Sequence, residues 1–310
     1  MSEMNNQIEN APKKEKPMRE ISVEGCKLLG KGGNGAVYRL DDETIVKVYF
    51  GKRNDMEKIK RSRETTRSAF VHGIPTMIAF DMVRVGENYG VVYEMINAKS
   101  IGQEIVEHPE KLEDYAHMIV DTLLKLHQTE FDKGALPDSK ERLRNEVRMT
   151  QAAGFYKPQE AERIFQLIDG IPDRNTFIHQ DFHPGNLMLL NGELMLIDVD
   201  DSGLGHPIID LAAMHLVYVT ASKSQWKTTE MGITKDQYAR IWDIILRRYF
   251  QTEDPKEVAE INRIIEGYAM ISLIKGVATS ESVPNYLRKP VVFFFKKKFF
   301  KMIDSLHPIP

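Results

Sequence analysis

The sequence predicts an α+β protein with two lobes, a small antiparallel β-sheet lobe that carries one helix and a larger lobe that is mainly α-helical. Short β-like runs separated by turn residues fill residues 20–96. Beyond Asn97, apolar residues recur mostly at helical spacing. The 310 residues are enough for two lobes with separate cores. We expect a first lobe at residues 19–96 and a second at 97–310.

The predicted elements of the first lobe follow a polar N-terminal stretch. Residues 1–18 are charged and contain two prolines, so we expect a disordered tail. Strand-like runs then occupy 27–30, 36–40 and 44–50, and a charged stretch at 55–70 has helical spacing. Two further strand candidates, at 76–85 and 89–96, complete the sheet.

In the second lobe, apolar spacing predicts helices at 112–127, 140–153 and 158–169, then from about 207, at 235–250 and at 255–276. Short strand-like runs interrupt them around residues 175–197, where Asn191-Gly192 is a strong hairpin signal. The final segment favours a helix docked through Val292, Phe295, Phe299 and Met302, and membrane contact by its lysines and phenylalanines is the less favoured alternative.

Composition argues against several classes of partner. A formal net charge of -3 gives no overall positive field for nonspecific nucleic-acid binding. Cys26 is the single cysteine, and no apolar run is long enough to span a membrane. The first twenty residues also lack a signal-peptide core, so we expect a cytoplasmic protein without stable membrane insertion.

The most informative motif is the run from Ile178 to Asn186, which is followed by Asp198 at the end of a strand-like run. Phosphoryl transfer needs a carboxylate that accepts the proton of the acceptor hydroxyl and oxygen ligands for a divalent ion. Asp181 has the spacing of the base, and Asn186 and Asp198 have that of the metal ligands. The motif therefore indicates a kinase-type site.

Glycines upstream supply a candidate nucleotide loop, Gly30, Gly32, Gly33 and Gly35, which Val37 follows. Glycines let backbone amides approach phosphates closely. A dinucleotide-binding loop would lead into a helix, whereas strand-like residues follow here, and the Walker ending Gly-Lys-Ser/Thr is absent. A glycine-rich hairpin without a ligand is the remaining alternative.

Lys47 alternates with apolar residues in the strand-like run after that loop, which favours contact with the α- and β-phosphates over a solvated edge position. Such a lysine needs an acidic partner on the following helix. Glu64 is preferred and Glu57 is the other candidate, although either could be an ordinary exposed helix residue.

Other polar residues near the motif suit support better than chemistry. We interpret His179 as a histidine that braces the loop, and His183 and His206 as residues that shape loops without forming a zinc signature. Asp210 stands where a helix begins and is expected to cap it and tether the catalytic loop. Asp200 and Asp201 are either minor contributors to the metal site or solvated turn residues.

Four features follow one another along the chain, namely the glycine-rich loop, the HxDxxxxN run, Asp198 and the segment from His206 to Ala212. In this order they make residues 25–275 resemble the aminoglycoside phosphotransferase and choline kinase-like family. The resemblance implies a bilobal protein-kinase-like fold with ATP in the interlobe cleft. It also implies that Glu94, Met95 and Ile96 lie near the adenine. Gln180 departs from the glycine usual in that family, and the nucleotide loop is richer in glycine.

We therefore expect a phosphotransferase that uses ATP and Mg²⁺ to phosphorylate a hydroxyl group of a small molecule. A serine/threonine protein kinase is the first alternative, but the short segment from Asp198 to Asp210 leaves no room for an activation segment and peptide platform. A nucleotide-binding pseudokinase regulator is the second, although no base or metal ligand is missing. The acceptor and the oligomeric state stay open.

Overall fold

The computed structural model describes residues 18–32, 35–221, 232–280 and 283–309, so the predicted tail lies almost wholly outside the described residues. The chain divides into two compact units, Met1–Lys60 with Phe80–Tyr93, and Arg61–Ala79 with Glu94–Pro310. The first unit is built on a β-sheet and the second is mainly helical. The predicted α+β class is confirmed. Residues 61–79, which we placed in the first lobe, group with the second unit.

A six-stranded sheet forms the first unit, in the order β1-β5-β6-β4-β3-β2. Its strands are β1 (Arg19–Glu20), β2 (Lys27–Gly32), β3 (Gly35–Arg39), β4 (Thr44–Tyr49), β5 (Ala79–Val85) and β6 (Asn88–Glu94). The pairs β2–β3 and β3–β4 are antiparallel, but β1 pairs parallel with β5. The sequence analysis missed β1 and therefore this parallel pair.

Valines hold the sheet together, with Val46, Val48, Val83 and Val92 at most 4% exposed. The helix α1 (Met56–Val71) begins after Asp55, whose Oδ1 accepts a hydrogen bond from Lys58 N at 3.1 Å. Its buried side includes Ile59 and Ala69, as predicted, but Met56 and Phe70 are 44% and 45% exposed and are not core positions. The apolar pattern of this charged helix was too sparse to locate its buried face.

The second unit contains the remaining described α-helices, namely α2 (Ile101–Glu107), α3 (Leu112–Gln128), α4 (Ser139–Ala152), α5 (Pro158–Asp169), α6 (Ile208–His215), α7 (Lys235–Phe250), α8 (Pro255–Thr279) and α9 (Asn285–Met302). Helix α3 packs on α7, while α8 packs on α4, α6 and α9. Among the described residues, no helix combines the length and the apolar character that a membrane crossing requires.

Five short strands of the second unit position its loops. They are β7 (Lys99–Ser100), β8 (Thr176–Ile178), β9 (Leu187–Leu190), β10 (Glu193–Leu196) and β11 (Gly203–Gly205). One small sheet has the order β10-β9-β7, and β8 pairs with β11. The loop 179–186 thus leaves β8 and enters β9, and the loop 197–202 connects β10 to β11. The sequence analysis missed β7, α2 and β11, which are all short.

The close pairing of β3 with β4 gives a test of the fold. A Cβ at Gly35 would overlap the carbonyl oxygen of Val48, whereas a Cβ at Gly30 would meet none of the described residues within 4 Å. We expect Gly35→Ala to lower the free energy of unfolding by about 1–3 kcal/mol, because the strands must separate to admit the methyl group. Urea unfolding measures the change. The matched control, Gly30→Ala, should change it by less than about 0.5 kcal/mol, and equal effects would contradict the steric argument.

Candidate functional site

The site is built around the buried carboxylate of Asp210, in the first turn of α6. It accepts hydrogen bonds from His127 Nε2 at 3.1 Å, His179 N at 2.9 Å and Gln180 N at 2.5 Å. On the far side of the imidazole, His127 Nδ1 lies 2.7 Å from the hydroxyl of Tyr249. Asp210 therefore ties the start of the loop 179–186 to α3 and α6.

Burial alone would raise the pKa of Asp210, and it is the largest single influence on this group. The hydrogen bond and charge of His127 and the bond from His179 N act in the opposite direction and together lower the pKa. The carboxylate is thus held in its charged form. A charged acceptor binds two backbone amides more strongly than a neutral one would.

Asp181 and Asn186 are joined within the same loop. Asn186 Nδ2 donates to the carbonyl oxygen of Asp181 at 3.0 Å and to its Oδ2 at 3.1 Å. Asp181 N donates to His179 Nδ1 at 3.2 Å, and His183 Nε2 lies 3.7 Å from Asp181 Oδ1. The Nδ2 group of Asn186 therefore orients the carboxylate of Asp181. The oxygen of the same amide, Asn186 Oδ1, points away from that contact.

The Asp181 side chain is 55% exposed, so its carboxylate is accessible to solvent. Loss of solvent around the carboxyl raises its pKa, the nearby His183 and His179 oppose that rise, and the charge of Asp198 adds to it. Its exposure limits the size of all these effects. A carboxylate with a raised pKa is a better proton acceptor than an ordinary surface aspartate.

The second candidate metal ligand, Asp198, follows β10 in an exposed position. Its φ of 59° lies in the left-handed region, which is unusual for a residue other than glycine. The preceding residue, Ile197, donates its N–H to the carbonyl oxygen of Asn186 at 2.9 Å. That bond holds the two predicted ligands on adjoining segments.

Gln180 links the loop of Asp181 to the loop of Asp198. Its φ is 67°, and its Nε2 donates to Ser139 Oγ at 3.1 Å and to the carbonyl oxygen of Asp201 at 3.0 Å. Arg142 Nη1 donates to the same carbonyl at 3.2 Å. In the sequence, Gln180 stood out only as a departure from a family pattern. Its bridging role was not predicted, because the sequence carries no signal for it.

The predicted phosphate-binding residues of the first unit lie on three adjacent antiparallel strands, β2, β3 and β4. Gly30 and Gly32 lie on β2, and Val37 on β3 pairs with Lys47 on β4. Gly33 lies outside the described residues. A Cβ at Gly30 or Gly32 would meet no atom of the described residues within 4 Å, so packing against those residues does not require glycine at either position. Open space above a strand pair suits a ligand that approaches the backbone.

The acidic partner of Lys47 and the adenine-binding segment also stay predictions. Glu64 is exposed on α1, and its pairing with Lys47, whose Nζ lies 5.3 Å from the ring centroid of Tyr49, is untested. Glu94 ends β6, donates its N–H to Ile78 O at 3.0 Å and accepts from Ile78 N through Oε2 at 3.4 Å. The two residues after it are partly exposed, and adenine contact by this segment is likewise untested.

A cavity of about 200 Å³ opens beside Asp181 within the second unit. Helices α4 and α8 line it with Glu146, Tyr268 and Ser272. Ser272 Oγ donates to Glu146 Oε2 at 2.6 Å, and the Tyr268 hydroxyl is buried without a partner among the described residues. The sequence analysis missed these residues, because their helices gave only a core-forming apolar pattern.

Comparisons with known proteins identify the family and the fold of the chain. The family model described as "phosphotransferase enzyme family" matches residues 25–261. No curated protein matches the sequence. The fold is similar to that of aminoglycoside phosphotransferase APH(2'')-Ib bound to ADP, with a TM-score of 0.58 and 16% identity, covering 90% of this chain and 94% of that one.

Two further solved structures share the fold. The ternary complex of streptomycin, ATP and APH(2'')-IIa has a TM-score of 0.52 and 16% identity, covering 91% of this chain and 92% of that one. A choline/ethanolamine kinase family protein from Mesorhizobium loti has a TM-score of 0.53 and 15% identity, covering 90% and 91%. The resemblance drawn from the sequence is confirmed.

The network around Asp210 predicts a large loss of stability on its neutralisation. In Asp210→Asn, an amide replaces an oxygen that faces backbone donors and His127. Removing one partner of a buried charged network costs about 3–5 kcal/mol, and we expect a loss of this size by urea unfolding at pH 7. Asp304→Asn, which removes an exposed partner of Arg163, should change stability little. Similar values for both variants would contradict the anchoring role.

The lowered pKa of Asp210 also determines how the stability that this carboxylate contributes to the fold depends on pH. It is fully present above pH 3.8, the ordinary value, and is lost as the pH falls through the lower pKa of the folded state. The stability difference between the wild type and Asp210→Asn should therefore shrink only below pH 3.8.

Proposed function

The chain belongs to the phosphotransferase enzyme family, and we propose that it transfers the γ-phosphoryl group of ATP, with Mg²⁺, to a hydroxyl group of a small molecule. The observation that carries the proposal is the carboxylate of Asp181, which Asn186 orients and which lies at a cavity sized for a small molecule. Nucleotide use is supported by the ADP and ATP named in two of the similar structures.

In this proposal Asp181 accepts the proton of the acceptor hydroxyl. Its carboxylate is accessible, its pKa is raised, and the Asn186 amide fixes the direction of one oxygen, Oδ2. The other oxygen, Oδ1, is then available to the hydroxyl. Phosphoryl transfer relies mostly on such positioning, because the protein itself forms no bond to the phosphoryl group.

The predicted metal residues fit Mg²⁺ by their chemistry. The amide nitrogen of Asn186 is engaged with Asp181, which leaves its carbonyl oxygen as the ligand, and Asp198 offers a carboxylate. Oxygen ligands of this kind are those that Mg²⁺ prefers, together with phosphate oxygens. When bound, the ion would neutralise charge that develops on the phosphates.

Glycines and Lys47 would hold the nucleotide in the first unit. The open backbone at Gly30 and Gly32 is suited to donating amides to phosphates, and Lys47 adds a positive charge from the neighbouring pair of strands. The prediction that Lys47 contacts the α- and β-phosphates belongs to this proposal.

Glu146 favours an acceptor that carries a positively charged group. The residue is 9% exposed and lines the cavity beside Asp181, and its carboxylate accepts a hydrogen bond from the Ser272 hydroxyl. The ion pairs of α4 among the described residues belong to Lys140, Arg144 and Arg148, and none includes Glu146. Buried carboxylates are normally paired, so an ammonium group of the acceptor would complete this site.

A small acceptor is favoured over a protein substrate by the segment after Asp198. The strand β11 begins at Gly203 and α6 at Ile208, so the backbone returns to the core at once. A Cβ at Gly203 would lie 2.5 Å from the carbonyl oxygen of Pro137, which shows how closely this segment is packed. No peptide-binding segment can be accommodated between these elements.

Replacement of the proposed base gives the first test. Asp181→Ala should lower kcat by about a hundredfold or more, the usual contribution of general base catalysis, while the Kd for the nucleotide changes little. Steady-state kinetics and nucleotide titration measure the two quantities. Asp173→Ala removes an exposed carboxylate that pairs with Lys140 and serves as the control. Unchanged turnover in Asp181→Ala would refute the assignment.

The metal assignment has a separate readout in binding. In Asp198→Ala, the increase in ATP affinity that Mg²⁺ confers should fall by about tenfold or more, since a direct ligand is lost. Titration calorimetry with ATP, with and without Mg²⁺, measures this without turnover. Tight binding of MgATP by the variant would show that Asp198 is not a ligand.

The acceptor itself is tested by following Mg²⁺-dependent ADP release with a panel of compounds. Amino alcohols and aminoglycosides represent cationic acceptors, neutral sugars represent uncharged ones, and generic proteins represent the alternative function. Turnover with a cationic alcohol, and a higher KM for it in Glu146→Gln, is the expected result. Turnover only with protein would favour a protein kinase, and nucleotide binding without any turnover would favour a regulator.

A further inference from the structure

The outward side of α9 carries an aromatic and basic stripe that the proposed reaction does not use. Tyr286, Lys289, Phe293, Lys297 and Lys301 follow one another at intervals of three or four residues, the spacing of one helix face. All five are exposed, Tyr286 by 77% and Phe293 by 69%. We call these five residues and the adjacent Phe294, which is 64% exposed, the α9 stripe.

The opposite side of α9 is docked, so the helix is held in place. Val292 and Phe299 are buried in the core of the second unit, with 1% and 0% exposure. Two lysines beside them form ion pairs, Lys296 with Glu160 and Lys298 with Glu266. The α9 stripe is therefore presented on a helix whose opposite side is docked on the second unit.

The charge of the α9 stripe is uncompensated along its own helix. Residues 285–302 contain no aspartate or glutamate, although the whole chain has a net charge of -3. Among the described residues, the ion pairs of α9 are those of Lys296 and Lys298 and do not include the three lysines of the stripe. The positive charge is a local feature that favours an anionic partner.

The chemistry of the stripe favours a lipid surface over a protein or a nucleic acid. Phe293 and Phe294 project as exposed apolar groups between lysines, a combination that lets rings enter the interface while ammonium groups reach headgroup phosphates. The only arginine of the helix, Arg288, donates instead to the carbonyl oxygens of Val283 and Ser280. The stripe thus lacks the planar donor that suits specific phosphate or base recognition.

We propose that the α9 stripe binds the surface of a bilayer that contains anionic lipid. The lysines contact the headgroups, Phe293 and Phe294 lie at the boundary of the acyl chains, and the protein attaches reversibly without crossing the bilayer. Two phenylalanine rings that enter the bilayer only partly, together with three lysines, give weak attachment that salt reduces.

Flotation of the full chain with vesicles tests the proposal. We expect binding to phosphatidylglycerol-containing vesicles, little binding to pure phosphatidylcholine vesicles, and release at high salt. The triple variant Lys289→Gln, Lys297→Gln, Lys301→Gln should bind at least about tenfold more weakly, because each lysine near an anionic surface contributes about fivefold. Phe293→Ser with Phe294→Ser should weaken binding as well.

A matched variant separates the stripe from overall charge. Lys125, Lys235 and Lys256 are exposed lysines on other helices of the second unit, and their replacement by Gln makes the same change in net charge. Its vesicle binding should stay within about twofold of wild type, and circular dichroism should show all variants folded. Absence of wild-type binding to anionic vesicles, equal losses in both triple variants, or binding to polyglutamate or single-stranded DNA in place of vesicles would each overturn the proposal.

Discussion

The charged, fully buried carboxylate of Asp210 is the contact on which the arrangement of the site depends. A buried charge is costly unless it is fully hydrogen-bonded, and here His127 and the amides of His179 and Gln180 supply the bonds. These contacts fix the backbone immediately before Asp181. Since the loop then continues into the Pro184–Asn186 turn and β9, the direction of Asp181 is set at both ends by the protein core.

Gln180 shows how this anchoring sustains an unfavourable backbone conformation. A left-handed conformation costs a residue with a side chain about 1–2 kcal/mol, and glycine would avoid that cost. The short bond from Gln180 N to Asp210 and the side-chain bonds to Ser139 and the Asp201 carbonyl oppose it. The glutamine thereby connects the loop of Asp181 to the loop of Asp198, a connection that glycine could not make.

Local signals in the sequence were sufficient for the long helices, the β2–β3–β4 hairpins and the family, because periodicity and motif spacing act over a few residues. They failed for β1, β7, α2 and β11, which are short and form through distant partners such as the pairing of Arg19 with Val83. The cavity could not be predicted from the sequence for the same reason. Glu146 and Ser272 meet only because α4 packs on α8, and nothing near either residue in the sequence marks it as polar lining.

Asn186 gives a physical reason for the short spacing between the proposed base, Asp181, and the proposed metal ligand. Its nitrogen can only donate and its carbonyl oxygen can only accept, so one side chain can orient Asp181 and still offer an oxygen to a cation. An aspartate at this position would repel Asp181 instead of orienting it. Under the proposed mechanism, the run from Ile178 to Asn186 therefore encodes a geometric coupling, in which the placement of the proposed proton acceptor and that of the proposed ion depend on the same amide.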